Sequence, residues 1–172
     1  MYFGKIIDED IQNIINSRYI DWEQFKNKNF FITGSTGLIG SALVRTIMTQ
    51  KKMLKDTGKV YLLVRSEDKA QTLFGNGLEQ ENVILLKGDI RDKIVIDDKI
   101  DYIIHAASVT TSKYMITNPV ETLMTSISGT DNILQLAIEH DVKSIVYLSS
   151  MEMYGTVALE QNPITEEKSG YI

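Results

Sequence analysis

The residues in this sequence best suited to chemistry are three evenly spaced glycines, Gly34, Gly37 and Gly40, which follow a short apolar run and open a helical pattern. N–H groups at a helix start lack intrahelical partners, and the helix dipole is positive there, so this turn could bind a phosphate. Gly34 would permit the sharp turn, Gly37 the approach of a pyrophosphate, and Gly40 close helix packing. The spacing predicts dinucleotide binding, the alternative being a glycine-rich turn without a ligand. The other residues expected to line this cofactor site are Ser35, Thr36, Leu38 and Ile39.

The residues that end the next apolar run bear on which dinucleotide is preferred. An acidic side chain at this place would accept hydrogen bonds from the adenosine ribose of NAD. Val64 cannot do so, whereas Arg65 could pair with the extra 2′-phosphate of NADP and stack on adenine. The sequence therefore favours NADP over NAD. The alternative is a solvated Arg65, with Glu67 or Asp68 reaching back to the ribose of NAD.

Alternating strand and helix patterns would position these residues. After a short helix over 8–17, strands are predicted at 29–32, 59–64, 82–87, 101–105 and 144–149, and helices at 39–48, 67–74 and 119–140. Such alternation predicts right-handed βαβ units and a doubly wound parallel α/β sheet. The last strand reads as buried on both faces. One apolar stripe of the long helix is expected to pack on the sheet: Val120, Leu123, Met124, Ile127, Leu134 and Ile138.

Composition and charge argue against several classes of protein. Lys and Arg number 18 against 23 Asp and Glu, a net charge of −5, and no basic cluster appears, so nucleic acid is not an expected partner. The sequence has no Cys, and its two His residues, His105 and His140, are isolated, so we expect no disulfide and no metal site. No apolar run suits a secretory signal or a membrane span, so a cytoplasmic protein is expected.

Further candidate residues follow the later predicted strands, at the sheet edge where ligands of this fold bind. Asp89 could accept a hydrogen bond from the exocyclic amine of adenine, or it could simply cap a turn. Ala106 and Ala107 are small enough for a flat cofactor to lie against the backbone. Ser150, after the last strand, reads on its own as a capping residue.

Several segments together resemble the extended short-chain dehydrogenase/reductase family, in order and spacing, over roughly 29–155. Within that family they are similar to nucleotide-sugar epimerases, dehydratases and decarboxylases, and 105–130 looks closest to UDP-glucuronate decarboxylases and sugar-nucleotide 4,6-dehydratases. Besides the glycine turn, the matching segments are Gly88-Asp89-Ile90, His105-Ala106-Ala107-Ser108, Asn118-Pro119, Gly129-Thr130 and Ser149-Ser150-Met151-Glu152-Met153-Tyr154-Gly155.

The resemblance implies roles for these residues. The substrate would be a nucleotide sugar, with a hydride passing from a sugar carbon to NAD(P)+. Ser150 would hold the hydroxyl being oxidised, and Glu152 would act near the oxidised carbon, unless it is a solvent-facing loop carboxylate. Related dehydratases pair such a Glu with an Asp, but Met151 stands there, which argues against elimination of water and leaves decarboxylation or epimerisation open. The further cofactor contacts implied are Asp89, Ile90, Ala106, Ala107, Ser108 and Ser149.

The resemblance also implies a general base that this sequence lacks, a Tyr four residues before a Lys. None of the eight Tyr residues has a Lys four positions later, and the family's Tyr would follow Ile172 by a few residues. The chain is therefore expected to bind cofactor but to turn over little alone. Ser126 replaces the family's usual Asn in the long helix, and Thr125 could compensate.

We therefore expect an N-terminal helical extension over 1–28 and, over 29–172, an NAD(P)-binding domain that stops before the Tyr-x-x-x-Lys segment. The resemblance implies that this domain is of Rossmann type, with strand order 3-2-1-4-5. Two alternatives to a nucleotide-sugar enzyme stay open: a non-catalytic NAD(P)-binding module or sensor, and an NADP-dependent carbonyl reductase of the same family. By family analogy, the helix at 119–140 could form half of a homodimer interface.

Overall fold

In a computed structural model, which describes residues 4–168, the chain forms a five-stranded parallel sheet with helices on both faces. The strands are β1 (Phe30–Thr33), β2 (Val60–Val64), β3 (Val83–Lys87), β4 (Tyr102–His105) and β5 (Ser144–Tyr147). The helices are α1 (Lys5–Ile15), α2 (Leu38–Leu54), α3 (Glu67–Phe74), α4 (Ser112–Thr117) and α5 (Pro119–Glu139). The described residues do not include 1–3 and 169–172, which are the ends of the two predicted domains. Tyr171 is one of these residues.

The predicted doubly wound sheet is confirmed, with strand order β3-β2-β1-β4-β5. Every pairing is parallel, and Phe31 of β1 lies in register with Tyr61 of β2 and Ile103 of β4. Each crossover from one parallel strand to the next must pass over a face of the sheet, which places helices on both sides. The carboxyl ends of all five strands consequently meet at one edge.

Two apolar cores lie on the two faces of the sheet. The first is packed under α2 and α3, and its buried members are Phe30, Ile32, Val44, Ile47, Met48, Val60, Leu62, Val64, Ala70 and Phe74. The second lies under α5 and the segment before β4, and its buried members are Phe31, Tyr61, Leu63, Ile90, Ile96, Ile100, Ile103, Ile133 and Leu136. Alternate residues of β1 and β2 serve the two cores, which explains their continuous apolar sequences.

The helix α2 runs six residues past its predicted end at Met48. The cations expected to close it do lie in its last turn, but Lys51 is buried and its ammonium lies 3.0 Å from a carboxylate oxygen of Asp56. The same ammonium donates to the carbonyl of Lys28 at 3.0 Å. This buried ion pair anchors the helix end to the chain that enters β1.

The N-terminal helix is present, at Lys5–Ile15 rather than 8–17, and it packs against α2 through the buried Ile11 and Ile15. Trp22 donates its indole N–H to the carbonyl of Ile15 at 3.0 Å. Its ring meets the edge of Phe25, which in turn packs on Phe30 of β1. The extension is therefore joined to the first core.

The expectation that the large apolar stripe of α5 packs on the sheet is wrong. Every one of its members, Val120, Leu123, Met124, Ile127, Leu134 and Ile138, is exposed, and the buried face instead contains Gly129, Ile133 and Leu136. A Cβ on Gly129 would lie 2.5 Å from Cδ1 of Ile90, so the small residue makes room for that side chain. Two stripes of helical spacing compete in this helix, and close packing selects the one with the glycine.

The expectation that the last strand is buried on both faces is also wrong. In β5, Val146 is 55% exposed on one face and Tyr147 is 54% exposed on the other. The reason is its position, because β5 is the edge strand of the described sheet and pairs only with β4. An apolar sequence indicates that a strand can be covered on both faces but does not say what covers it.

Candidate functional site

The glycine turn joins β1 to α2 at the carboxyl edge of the sheet. Gly34 has φ +63°, and a Cβ there would lie 2.5 Å from the backbone of Ala106, at the end of β4. A Cβ on Gly40 would overlap the carbonyl of Gly34. Both positions therefore require glycine, because the helix start, the turn and the end of β4 are in direct contact.

Gly37 differs from the other two glycines, because it is exposed at the mouth of the turn. A Cβ there would lie 3.1 Å from the carbonyl oxygen of Gly34, which is a tight contact, but it would meet no side chain and no other segment within 4 Å. Gly37 is the N-cap of α2, and the helix has neither a capping side chain nor an acidic residue in its first turn. Open space beside unpaired N–H groups fits a diphosphate group of a dinucleotide.

The other residues of the turn fall into two groups. Ser35 is fully buried, and its hydroxyl donates to the carbonyl of Leu63 in β2 at 3.0 Å, so its side chain braces the turn. Thr36 is half-buried. Leu38 and Ile39 are exposed by 91% and 56%, which gives the mouth of the turn an apolar rim.

The ends of β2 and β3 lie side by side at the same edge. Their parallel pairing runs to Val64 opposite Lys87, and the N–H of Gly88 then donates to the carbonyl of Val64 at 3.0 Å. Arg65 and Asp89 therefore leave the sheet next to each other. The side chain of Arg65 is exposed.

Glu67 and Asp68, the acidic residues that could instead bind the ribose of NAD, lie just after Arg65. Ser66 caps α3 by accepting the N–H of Lys69 at 3.2 Å. Glu67 occupies the first helical position, with its carboxylate 3.8 Å from the ammonium of Lys87, and Asp68 follows in the same turn. The carboxylate of Glu67 thus faces the ammonium of Lys87 at the end of β3.

Asp89 makes a compact pair with a residue that the sequence reasoning did not identify. One of its carboxylate oxygens accepts the backbone N–H and the Nε–H of Arg91, both at 2.9 Å, and the other accepts Nη2 at 3.2 Å. These hydrogen bonds lower the pKa of Asp89 below its ordinary value despite partial burial. Asp89 thus does cap a turn, and its contact with adenine stays a prediction. The side chain of Ile90 is buried against Gly129, so only its backbone could face a ligand.

The end of β4 is held by a buried polar network around Thr33. Its hydroxyl accepts the N–H of Ala107 at 3.2 Å and lies 2.7 Å from Nδ1 of His105, while its carbonyl accepts the N–H of Ala106 at 3.3 Å. The other ring nitrogen of His105 lies 3.3 Å from the hydroxyl of Thr130 on α5. His105 is buried at the end of β4, and this burial lowers its pKa. The network fixes the Ala106–Ala107 backbone beside Gly34, and Ser108 beyond it is exposed.

The serines after β5 reach the same edge and are exposed. The hydroxyl of Ser150 accepts the N–H of Glu152 at 3.2 Å and so caps the short turn Met151–Tyr154, as the alternative for this residue anticipated. Its proton remains able to donate to a ligand. The hydroxyl of Ser149 lies 3.5 Å from the sulfur of Met153, and the side chain of Glu152 is solvent-exposed.

Two hydroxyls expected near the proton-transfer side of the site are engaged with their own helix. Ser126 donates to the carbonyl of Thr122 at 3.2 Å, and Thr125 donates to that of Glu121 at 2.7 Å. Neither points its proton at a neighbouring element.

The site residues that sequence reasoning missed are Thr33, Thr130 and Arg91. Arg91 could have been identified from the run Gly88-Asp89-Ile90-Arg91, because an Arg two residues after a strand-end Asp can fold back onto it. Thr33 and Thr130 could not, because their contact through His105 depends on how α5 lies on the sheet.

No helix within residues 4–168 is long and apolar enough to cross a bilayer. Within it, no three His, Asp or Glu side chains are grouped so as to hold a metal ion.

A model of the NAD dependent epimerase/dehydratase family matches residues 30–171. The chain is 29% identical over 132 residues to the dTDP-glucose 4,6-dehydratase of Streptomyces antibioticus, an alignment that covers 75% of this chain and 39% of that protein. It is 28% identical over 129 residues to the UDP-glucose 4-epimerase of Rickettsia typhi, covering 73% and 37%. The chain thus spans about two fifths of the length of these curated relatives.

Solved structures agree with these matches. Pen from Bacillus thuringiensis superposes with a TM-score of 0.65 at 31% identity, covering 76% of this chain and 40% of that one. The UDP-glucose-4-epimerase of Stenotrophomonas maltophila, solved with bound NAD and formylated UDP-arabinopyranose, gives a TM-score of 0.66 at 21% identity, covering 83% and 42%. The second likeness shows the fold alone. Together the matches confirm the resemblance that the sequence motifs carry.

Proposed function

The chain belongs to the NAD-dependent epimerase/dehydratase family, and from this premise we propose that it is the coenzyme-binding part of an enzyme that moves a hydride between a nucleotide-linked sugar and NAD(P). The observation that carries the proposal is the uncapped start of α2 beside Gly37, which faces open space at the carboxyl edge of the sheet. Bound NAD(P)+ would supply the hydride acceptor. The domain proposed to hold it spans 29–172.

Each segment of this edge has a proposed role in binding. Main-chain N–H groups of the turn 34–40 would hold the diphosphate, with Ser35 bracing the turn from below. Arg65 and Asp89 would lie at the adenosine end. The backbone of Ala106 and Ala107, fixed through Thr33, would lie beside the nicotinamide. Ser108 and Ser149 are exposed at the same end and would border it.

The substrate side of the proposal rests on the residues after β5. Ser150 would orient the sugar hydroxyl by donating the proton that its capping role leaves free. Glu152 would act near the oxidised carbon, and Met151 in place of an acid favours epimerisation or decarboxylation over elimination of water. The nucleotide-sugar class is supported by the names of two relatives, a dTDP-glucose 4,6-dehydratase and a UDP-glucose 4-epimerase.

The chain spans about two fifths of those relatives, so we propose that alone it binds coenzyme with little turnover. A second candidate is a non-catalytic NAD(P)-binding module or sensor, which would use the same coenzyme-binding edge without a general base. The reading frame distinguishes them. A Tyr-x-x-x-Lys soon after Ile172 favours the enzyme, whereas a stop codon favours the module.

We also propose that the exposed stripe of α5 mediates a dimer of this chain, because its apolar side chains form one unpartnered helix face. Leu123→Lys would place a charge in that interface. Sedimentation should then show a dimer for the wild type and a monomer for the variant. A wild type that stays monomeric at high concentration would refute this part of the proposal.

Titration with NADPH and NADH tests the coenzyme site. Gly37→Arg would fill the open space beside the first turn of α2, and we expect affinity for both coenzymes to fall at least roughly tenfold, about 1.4 kcal/mol. Asn76→Arg is the matched control, because it adds the same charge at an exposed position of the short 3₁₀ helix Gly75–Glu79, away from the glycine turn. Equal affinities for the two variants would show that the phosphates bind elsewhere.

A further inference from the structure

We propose that Asn132 and Gly129 of α5 are positioning residues for the coenzyme, because together they hold the turn 89–92 where the adenosine end is proposed to bind. The inference rests on the proposed function and adds to it a contribution from the long helix. Neither residue has to touch the coenzyme, since each acts through the chain that follows β3.

The chain between β3 and β4 depends on side chains of other elements for its position. Residues 88–101, all of which the structure describes, connect the two strands without forming a helix. At the amino edge of the sheet, Asp98 accepts the ammonium of Lys59 at 2.6 Å and also the hydroxyl of Tyr61. At the carboxyl edge, where the coenzyme is proposed to bind, the anchoring side chain comes from α5.

Asn132 holds the backbone of the turn 89–92. Its Nδ2 donates to the carbonyl of Ile90 at 2.8 Å and to the carbonyl of Asp92 at 3.3 Å. Because both partners are acceptors, the amide nitrogen with its two N–H groups must face them. A further hydrogen bond is internal to the turn, from the N–H of Asp92 to the carbonyl of Asp89 at 3.0 Å. One side chain of α5 therefore fixes two carbonyls of the turn.

Gly129 receives a side chain of the same turn. It lies three positions before Asn132, and so on the same side of α5. A Cβ on Gly129 would lie 2.5 Å from Cδ1 and 2.7 Å from Cγ1 of Ile90, so the isoleucine fills the space that the glycine leaves. Ile90 is consequently buried, while the side chain of Asp89 beside it remains 23% exposed at the sheet edge.

The carboxylate that this turn presents can accept one more donor. Each oxygen of an ionised carboxylate has two lone pairs. One oxygen of Asp89 accepts two N–H groups of Arg91, but the other accepts only one. The second oxygen can therefore accept the exocyclic amine of a base. A turn that is fixed before the ligand arrives loses little further conformational entropy on binding.

The alternative is that Asn132 and Gly129 only stabilise the second core. In that case their substitution would weaken all ligands of the coenzyme site alike, or none of them. A positioning role predicts a loss at the base alone, because the diphosphate is proposed to bind at the turn 34–40. The two possibilities differ in one measurable quantity, the preference for one base over another.

Calorimetric titration of the whole chain with ADP and with GDP measures this preference, because the two probes share the ribose and the diphosphate. GDP carries a carbonyl oxygen where ADP carries its exocyclic amine, so it offers the carboxylate of Asp89 an acceptor instead of a donor. We expect the wild type to prefer ADP by at least roughly tenfold, as a hydrogen bond to a charged group allows.

Asn132→Asp keeps the size of the side chain but replaces its two N–H donors with a carboxylate oxygen. The preference for ADP should then fall to about threefold or less, because the turn loses its anchor. Asn132→Ala removes the donors without adding a charge and should fall between that variant and the wild type. Gln135→Glu is the matched control, since it makes the same change of amide to carboxylate at an exposed position one turn further along α5. It should leave the preference unchanged.

A thermal melt of each variant checks that it is folded, and Asn132→Ala carries the test if Asn132→Asp is not. The inference is overturned if the folded variant keeps the wild-type preference, or weakens ADP and GDP equally. A wild type without a preference also overturns it, yet leaves the proposed function standing as long as the chain binds NADH. Failure of the wild type to bind NADH would instead refute the proposed function.

Discussion

The half of the sheet built from β1 to β3 and the half built from β4 and β5 differ in how completely their apolar side chains are covered. All residues of β1 and β2 are buried, and the helices α2 and α3 close one face above them. No residue of β5 is buried. The large apolar side chains exposed from α4 onward are Tyr114, Met115, Ile116, Val120, Leu123, Met124, Ile127, Leu134, Ile138, Val146, Tyr147, Met151, Met153 and Leu159.

This difference in coverage corresponds to the two roles of the proposed site, which are to bind the coenzyme and to bind the sugar. β1 and β2, which lead into the segments proposed to hold the diphosphate and the adenosine, are covered on both faces, by α2 and α3 on one and by α5 and the segment before β4 on the other. The elements proposed to meet the sugar lie beside an apolar surface that no described residue covers, which is typical of a surface that binds other polypeptide. Coenzyme binding should therefore depend more on the central strands than on β5 and the residues after it.

The largest effect should come from the contact that joins the two halves, between Gly34 and the backbone of Ala106. Gly34→Ala should destabilise the fold by about 3 kcal/mol or more, because it combines a strained positive φ with overlap of backbone atoms. Gly75 is the matched control. It also has a positive φ, of 48°, but a Cβ there meets no atom within 4 Å.

Gly75→Ala should therefore cost only the backbone strain, about 1–3 kcal/mol. Urea unfolding of the two variants measures the comparison. Equal losses of unfolding free energy would mean that the turn and the end of β4 are not in contact.

Within the second half, the two faces of α5 should respond very differently to truncation. Ile133→Ala should lower the free energy of unfolding by about 2–4 kcal/mol, because its side chain is fully buried in the second core. Leu123→Ala, on the exposed stripe, should change it by less than about 0.5 kcal/mol in the monomer. Urea unfolding at low protein concentration keeps dimer formation from masking the difference. A larger loss for Leu123→Ala than for Ile133→Ala would mean that the stripe containing Leu123 packs on the sheet, as the sequence pattern predicts.

The fold was largely predictable from the sequence because its signals are local. The apolar runs, the breaks between them and the glycine turn indicate the five strands, and the family resemblance supplies their order. Which side chains of α5 are buried was not predictable. The exposed stripe and the buried stripe, which contains Gly129 and Ile133, have the same helical spacing. Only the fit of Ile90 against Gly129 decides between them.

The candidate site likewise contains residues that could be predicted from the sequence and residues that could not. The turn residues Gly34 and Gly40 could be assigned structural roles from their spacing, and the structure gives both the close contacts that need glycine. The pairing of Asp89 with Arg91 and the burial of the side chain of Ile90 depend on how the chain folds back after β3. The hydroxyl of Thr33 acquires its role only because β1 and β4 are neighbours, so sequence spacing does not reveal it.

The smallest effect predicted is a pH dependence at the seam, where His105 bridges Thr33 of the first half and Thr130 of the second. Burial lowers the pKa of His105 in the folded state below its ordinary value of 6.5. Below pH 6.5 the unfolded chain therefore binds a proton that the folded chain resists. Stability should be lost as the pH falls from 6.5 toward the folded pKa, by less than about 1.4 kcal/mol per pH unit.

Urea unfolding at pH 7.5 and at pH 5.5 measures this loss, since the window lies above the ordinary pKa values of Asp and Glu. His105→Gln keeps a hydrogen-bonding side chain but cannot titrate, so its stability should change less between the two pH values than that of the wild type. If both proteins lose the same stability, His105 is solvated rather than held between the hydroxyls. The position of the Ala106–Ala107 backbone would then depend on its contact with Gly34 and on the pairing of β1 with β4.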